Sequence, residues 1–587
     1  MVRKFLRFKW QREYEVNCTL RPEERKIQEN KKLEDVKYKD NWTMTVNEKD
    51  ILETEANPKH LERYMDKSKK RIAVIGAGVS GMSSIAMLKE EGLEPVCFEK
   101  TDRPGGTWFY REETIEGVAS IMPTTIINHS KEMGAFSTFP PAKEYNNYMR
   151  HYEMYQYLME YWSKYDCLKH VRVNMEVISV KRTDDYNETG RWAVTAKSLI
   201  TNEISTEVYD GVVVCVGHIN RPKMAIFPGQ DKFKGKIIHS HSLKGVDEYK
   251  NQVIVIVGTG CSALDAAVET SNVAKQVYVS TKTGAHIMTR IGPHGKPMDY
   301  VLLRRYLTNY LNLWPRDWCS KFLEKKFLDS KFDHKLYKVH PKHRMLSKDP
   351  IINDHIGSKL LSGSVVQKGD ISHFTETGVV FNGEDEETRA DTVIMATGYT
   401  WKFPFLDDDI VIQEEGRFKL YKCMYPPHLP HPTLVLVGFV LVWGPGMPVG
   451  EMQARWAASI FSGRNSLPSV EEMEKDIQKR HSRNAKWYAP NDKMTIRVDF
   501  VQYLDEIATL LGAKPNFCKL FFTDPKLFWK LIWGPSLSYQ YRLQGPHKWK
   551  GARETILTSK ERLMFPLKFH QCQKRGVEKE KGLVKAF

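Results

Sequence analysis

The chain has few cysteines and no closely spaced pairs of them. Nine are scattered over 587 residues with no Cys-x-x-Cys spacing. That excludes a disulfide framework and a zinc cluster and fits a reducing compartment. Long apolar runs are missing too. The longest, residues 434–443, falls well short of the ~18 residues that signal a membrane span. It contains Gly438 and runs into a Pro/Gly cluster, so it reads as a buried strand. The opening MVRKFLRFKWQREYEV lacks the apolar h-region of a secretory peptide. Without such a signal, the Asn-x-Ser/Thr matches at Asn17, Asn41, Asn128 and Asn187 read as chance. Acid is in short supply: 88 Lys/Arg against 72 Asp/Glu leave a net charge of +16, and residues 542–587 hold 12 basic against 4 acidic side chains. A solvated tail and an anionic membrane surface both fit that excess. Nucleic acid does not, because no nucleic-acid module accompanies it. No catalytic triad stands out.

What is present is punctuated by glycine. A chain this long exceeds one core, so two or more domains are expected. Residues 1–70 are charge-rich and weakly periodic, an extension whose basic–aromatic start also fits a membrane-surface helix or a weak organellar signal. At Arg71 a β-branched run begins and ends in Gly76-Ala77-Gly78-Val79-Ser80-Gly81. An apolar helical pattern follows, then a second strand closing on Glu99. This is a β-α-β unit. In it, Gly76 permits the turn, Gly78 lets backbone approach a pyrophosphate, and Gly81 lets the helix pack closely on the sheet. The pyrophosphate lies at the helix amino terminus, where free N–H groups and the dipole favour negative charge. Glu99, about 20 residues on, is placed for the adenosine ribose hydroxyls and repels a 2′-phosphate. FAD or NAD therefore fits and NADP does not. RPGGTW (103–108), with Gly106, Thr107 and Trp108, can accommodate a longer cofactor and tilts the choice to FAD.

The pattern repeats roughly 180 residues on, as VIVIVGTGCSALDAAVE (253–269). Gly258 and Gly260 keep the turn, Ala263 replaces the third glycine, and Ser262 and Asp265 open the helix. The next strand ends in Ser280, Thr281 and Lys282, hydroxyls and a cation where the first unit has an acid. That suits the 2′-phosphate of NADPH. No Cys pair of the disulfide-reductase kind follows the first unit, so electrons passing from NADPH to FAD have dioxygen as their natural acceptor. Helical sequence is expected at about 145–165, strands at 171–180, 191–197 and 212–216, a basic, aromatic, helical insertion at 295–350, and one strand and one helix within 433–463.

The chain resembles the flavin-containing monooxygenases from about Arg71 to about Arg562. The matching stretches include VIGAGVSG (74–81), CFEK (97–100), GGTW (105–108), NHSKEMGAFSTFP (128–140), VGTGCSALDAAVE (257–269), STKTGA (280–285), ATGYTWKFPFLD (396–407), EMQARWA (451–457) and GARETILT (551–558). The family's FxGxxxHxxx motif appears as FKGKIIHSHSL (233–243), with Phe233, Gly235 and His239 in place and Leu243 where an aromatic is usual. His286 stands where the family often has Trp. The chain ends QKRGVEKEKGLVKAF, where vertebrate microsomal members carry an apolar anchor.

The resemblance implies an α/β fold with two Rossmann-like dinucleotide-binding domains, the FAD domain discontinuous, plus a helical insertion and a C-terminal helix/loop region. The expected boundaries are 1–70 (extension), 71–245 (FAD, first part), 246–390 (NADPH), 391–470 (FAD, return) and 471–587 (C-terminal region with basic tail). It also implies a cycle in which NADPH reduces FAD, NADP⁺ stays bound, and O₂ forms a C4a-hydroperoxyflavin that oxygenates a soft nucleophile, an amine nitrogen or a sulfide sulfur. Asn128 is then the catalytic hydrogen-bonding residue, His129 lies beside it on the cofactor, and Thr397 and Gly398 approach the flavin or nicotinamide. His239 reads as a linker between domains. A Baeyer–Villiger oxygenase and an uncoupled NADPH oxidase that releases H₂O₂ stay open as alternatives. So do self-association and the location: the cytosolic face of the endoplasmic reticulum membrane, held peripherally with Tyr300 to Lys326 on lipid, or the cytoplasm.

Overall fold

The computed structural model describes residues 69–329, 332–489 and 495–583, with side chains to Lys568. The extension 1–70 and its basic–aromatic start lie outside the described residues, apart from Lys69 and Lys70. Strand β1 (Arg71–Ile75) is buried from Ile72 onward, as β-branched residues covered on both faces of a parallel sheet should be. Helix α1 (Val79–Glu90) and strand β2 (Glu94–Phe98) complete the first unit. Helix α2 (His151–Lys164) turns Met154, Tyr157, Leu158, Tyr161 and Trp162 inward, the i, i+3, i+4, i+7, i+8 stripe of a half-buried helix. The expected strand 171–180 is two strands. β3 (Val171–Arg172) joins the parallel sheet, and β4 (Met175–Arg182) begins an antiparallel one with β5 (Trp192–Ser198) and β6 (Ile204–Tyr209). Asn174, at φ 54°, makes the corner between them, a conformation Asn tolerates. β7 (Gly211–Val214) returns beside β1.

The second sheet is built from β8 (Lys236–His239), β9 (Val253–Val257), β10 (Gln276–Ser280), β11 (Val365–Lys368) and β12 (Thr392–Met395), with helix α3 (Cys261–Thr270) after β9. Between β10 and β11, α4 (Arg305–Leu313) and α5 (Arg316–Leu323), with a short helix at Met298–Leu302 before them and a π-helical turn at Glu324–Leu328 after them, form the helical part of the insertion. Among the described residues from 329 to 350 only turns and one 3-10 turn follow, so the helical expectation fails there. β13 (Leu434–Leu436) then goes back to the first sheet, pairing with β7. The one strand expected at 434–443 is thus two, β13 and a short strand at Leu441–Trp443 that pairs with Arg497–Asp499, with Gly438 at φ 79° between them. The sheet orders are β13-β7-β1-β2-β3 and β11-β10-β9-β12-β8, parallel throughout. Helix α6 (Gly446–Phe461) is buried nearly all round and packs on α1. Beyond it come α7 (Val470–Trp487), α8 (Phe500–Leu510), α9 (Phe517–Thr523), α10 (Pro525–Trp533) and α11 (Ala552–Leu583). None of the described helices is long and apolar enough to cross a membrane. Leu243 is buried in the core of the second sheet.

Candidate functional site

The first glycine turn leaves β1 with Gly76 at φ 95°. A Cβ there would lie 2.9 Å from the Cys215 carbonyl oxygen at the end of β7, and one on Gly81 would lie 1.8 Å from the Gly76 oxygen. Only a bare Cα lets α1 rest on the turn. Gly78 and Gly106 meet backbone to backbone, since a Cβ on Gly106 would lie 2.9 Å from the Gly78 Cα. Thr107 and Trp108 complete the 3-10 turn beside them. Ser80 faces Gly438. Glu99 is 8% exposed. Its Oε2 accepts the Ala77 N–H at 2.7 Å, and its Oε1 accepts the Thr101 N–H at 3.0 Å and the Thr101 hydroxyl at 2.7 Å. The acid therefore closes the turn itself. No side chain caps α1, whose Ncap is Gly78, so the first N–H groups, Val79 among them, face the space above the glycines. These features fit a dinucleotide pyrophosphate.

The second turn has the same plan and looser packing. Gly258 has φ 117°, and a Cβ there would lie 2.7 Å from the Ala396 oxygen, while one on Gly260 would meet nothing within 4 Å. Ala263 is buried, Ser262 is exposed, and α3 also lacks a side-chain cap. Thr281 accepts the Gly284 N–H at 3.0 Å and sits 3.3 Å from the Thr259 hydroxyl; Lys282 is exposed. Asp265 accepts from the Asn353 amide at 2.8 Å. Burial pushes its carboxyl up to about 6, against the opposing pull of Arg290 and Asn353. Asn353 in turn accepts the N–H groups of His355 and Ile356, so the side chain of Asp265 braces that loop. Thr397 donates to the Lys223 carbonyl, and the Gly398 carbonyl accepts from the Lys223 N–H and from His239 Nε2 at 2.9 and 3.1 Å. Burial lowers His239 to about 4, so the ring is neutral at physiological pH. It ties the edge strand β8 to the end of β12.

Asn128 lies beside the start of α3, next to the second glycine turn. Its Oδ1 accepts from Arg290 Nη2 at 2.8 Å, and its Nδ2 is 3.9 Å from Sγ of Cys261, the first residue of α3. His129 packs its ring against Gly134 and is held near 4 by burial. The rest of the motif is a buried polar knot. Asp299 accepts the Ser130 N–H and hydroxyl at 2.6 and 3.0 Å. The Lys131 ammonium donates to the carbonyls of Lys143 and Tyr145, both at 2.7 Å. Glu132 takes Arg562 of α11 at 3.0 Å. Burial moves Lys131 down to about 8 and Asp299 up to about 6. Sequence reading picked out Asn128 and missed Arg290, Asp299 and Arg562, whose only signal is spatial. His286 is buried against the His343 carbonyl at 3.0 Å, close to His334.

A profile described as "FMO-like: Flavin-binding monooxygenase-like" matches residues 69–587. The chain belongs to the flavin-binding monooxygenase family. It is 42% identical over 503 residues to "Flavin-containing monooxygenase 5" of Rattus norvegicus, covering 85% of this chain and 93% of that one. It is 39% identical over 501 residues to "Flavin-containing monooxygenase 2" of Homo sapiens, covering 85% and 93%. Among solved structures, the S-allyl-L-cysteine S-oxygenase of Allium sativum shares the fold, with a TM-score of 0.57, 24% identity and coverage of 83% and 98%. So does an oxidised steroid monooxygenase bound to NADP, with a TM-score of 0.55, 16% identity and coverage of 76% and 98%. The chain is therefore an NADPH-dependent flavin monooxygenase, with FAD and NADPH as its cofactors.

Proposed function

We propose that this monooxygenase oxygenates small soft nucleophiles, amine nitrogens and sulfide sulfurs, with Asn128 as the residue that makes the reaction productive. Residues 71–245 and 391–470 hold FAD in this reading, and 246–390 hold NADPH. The FAD pyrophosphate lies on the amino terminus of α1 with Glu99 on its ribose side. The nicotinamide nucleotide lies on α3, with Thr281 and Lys282 toward its 2′-phosphate. The flavin, reduced by NADPH, supplies the activation of O₂. The protein's own part is to bind both cofactors, keep water out, and present one neutral amide at their junction. An amide donates and accepts without taking a proton away. The observation that carries the reading is the place of Asn128, bonded to Arg290 and next to the first residue of α3. The test is Asn128→Ala with a thioether substrate. FAD stays bound and NADPH is still consumed, while sulfoxide formed per NADPH falls at least about tenfold, as loss of one hydrogen bond implies, and H₂O₂ makes up the balance. Sulfoxidation at the parent ratio would refute the role. A ketone assayed beside the thioether separates a Baeyer–Villiger oxygenase.

The same reading places the chain against a membrane surface, the cytosolic face of the endoplasmic reticulum. Support comes from large side chains left in solvent on neighbouring helices: Leu313 (81%) on α4, Trp318 (62%) on α5, Phe522 (81%) on α9 and Trp533 (53%) on α10. Trp533 packs against Tyr306 of α4, the rings tilted with centroids 4.6 Å apart. Exposed Lys321, Lys519 and Lys526 share these elements, the mixture expected of a lipid-facing surface. Flotation with vesicles rich in phosphatidylserine should carry the protein up, and Trp318→Ser/Phe522→Ser should leave it at the bottom. Equal flotation of parent and variant would remove this surface from the account.

A further inference from the structure

We infer that Arg290 is a positioning residue that sets the direction of the Asn128 amide and so couples the NADPH-side loop to productive oxygen transfer. The inference rests on the role proposed above for Asn128. Arg290 follows the short strand Ile287–Met288 of the second nucleotide unit, yet its guanidinium reaches the segment carrying Asn128. Nε donates to the Ile127 carbonyl and Nη2 to the Ile126 carbonyl, both at 3.2 Å, and Nη2 also reaches Asn128 Oδ1 at 2.8 Å. The other edge of the fork is fixed on its own side. Nη1 donates to Asp354 Oδ2 at 2.8 Å, and the Arg290 backbone N–H donates to Asp354 Oδ1 at 2.7 Å. The Tyr148 hydroxyl donates to the Arg290 carbonyl at 2.9 Å.

An amide alone can present either end. Beside a guanidinium, which has donors and no acceptor, only the oxygen can face inward. Asn128 Nδ2 is thereby turned out toward Cys261 and the amino terminus of α3. Three bonds from one rigid fork hold the backbone of 126–127 and the amide together. A lysine has the same charge and no fork, so it cannot make all three. The guanidinium's side chain is 12% exposed and that of Asp354 is 21% exposed, so the fork has little freedom to swing. Arg290 need not touch the reacting atoms to matter. If the amide turns, the two electrons from NADPH still reach O₂ but leave with two protons as H₂O₂, instead of placing one oxygen atom in substrate and one in water.

The test compares Arg290→Lys, Asp354→Asn, Asn128→Ala and Arg290→Lys/Asn128→Ala on holoenzyme, measuring FAD content, NADPH oxidised, sulfoxide formed and H₂O₂ released. Arg290→Lys is expected to oxidise NADPH within about threefold of the parent rate and to lose about tenfold in sulfoxide per NADPH. Asp354→Asn relaxes the fork from its other edge and loses coupling in the same direction, more weakly; it carries the test if the lysine variant does not retain FAD. The double variant is no worse than Asn128→Ala. In whichever variant retains FAD, a purely structural role would lower all rates together and leave the product ratio alone, which would overturn the inference. So would parent coupling in Arg290→Lys, or additive losses in the double variant. If Asn128→Ala itself stays coupled, the proposed role of Asn128 fails, and this inference falls with it.

Discussion

The two glycine turns share one plan and differ in how tightly they close. In the first, the helix rests on the turn, Gly106 touches Gly78, Ser80 abuts Gly438, and Glu99 satisfies backbone groups on both sides of itself. In the second, the space above Gly260 is open, Ala263 adds a methyl where the first turn has none, and the strand ends in Thr281 and an exposed Lys282. A cofactor kept through every cycle suits a turn braced from all sides. One that arrives reduced and leaves oxidised suits a turn with free approach. The proposed assignment, FAD on the first turn and NADPH on the second, accounts for an acid at the end of one and a cation at the end of the other, since only NADPH brings a 2′-phosphate.

The largest effect should come from overfilling the tight turn. Gly81→Ala drives a methyl into the Gly76 carbonyl, and backbone cannot yield as a side chain can. We expect a loss of about 3 kcal/mol or more and little FAD in the purified protein, read from its absorbance and melting curve. Glu99→Ala comes next. It leaves the Ala77 and Thr101 N–H groups without their acceptor, each worth about 1–3 kcal/mol when buried, and FAD binding should weaken about tenfold or more by titration of the apoprotein.

The open turn should respond differently. Gly260→Ala meets no protein atom, so melting should stay where it is while KM for NADPH rises about tenfold, equivalent to about 1.4 kcal/mol. A fall in FAD content instead would erase the contrast between the turns. Lys282→Met should raise KM for NADPH a few-fold and leave KM for NADH unchanged, the modest size following from an exposed charge pair worth about 1 kcal/mol or less. The smallest effect concerns Asp265. Its folded pKa is raised from 3.8 to about 6, so its contribution favours folding below the unfolded value and is lost as pH rises through 6. Asp265→Asn should therefore flatten the pH dependence of melting between about 4 and 6, without lowering stability at neutral pH.

Much of this was legible in the residues. The β-branched runs ending in glycine located β1 and β9, and the helical sequence expected at about 145–165 located α2 (His151–Lys164), because local periodicity and burial agree there. The strand boundary at Asn174 and the unhelical stretch after 329 were not legible, since each depends on where the chain must turn to join a sheet. Asn128 could be found only through a motif. Its neighbours Arg290 and Asp299, and the Glu132–Arg562 pair, join residues 162, 169 and 430 positions apart. No spacing rule reaches that far. Glu99 was read for its ribose-side role, but its bonds to Ala77 and Thr101 are geometric facts that composition does not carry.

The most direct measurement is a visible spectrum of the dialysed enzyme, taken without oxygen, before and after equimolar NADPH and, separately, NADH. A flavin band that survives dialysis and is bleached by NADPH far faster than by NADH is the predicted result. A colourless protein, or a band bleached equally by both nucleotides, would contradict the division between a braced flavin turn and an open, 2′-phosphate-reading one.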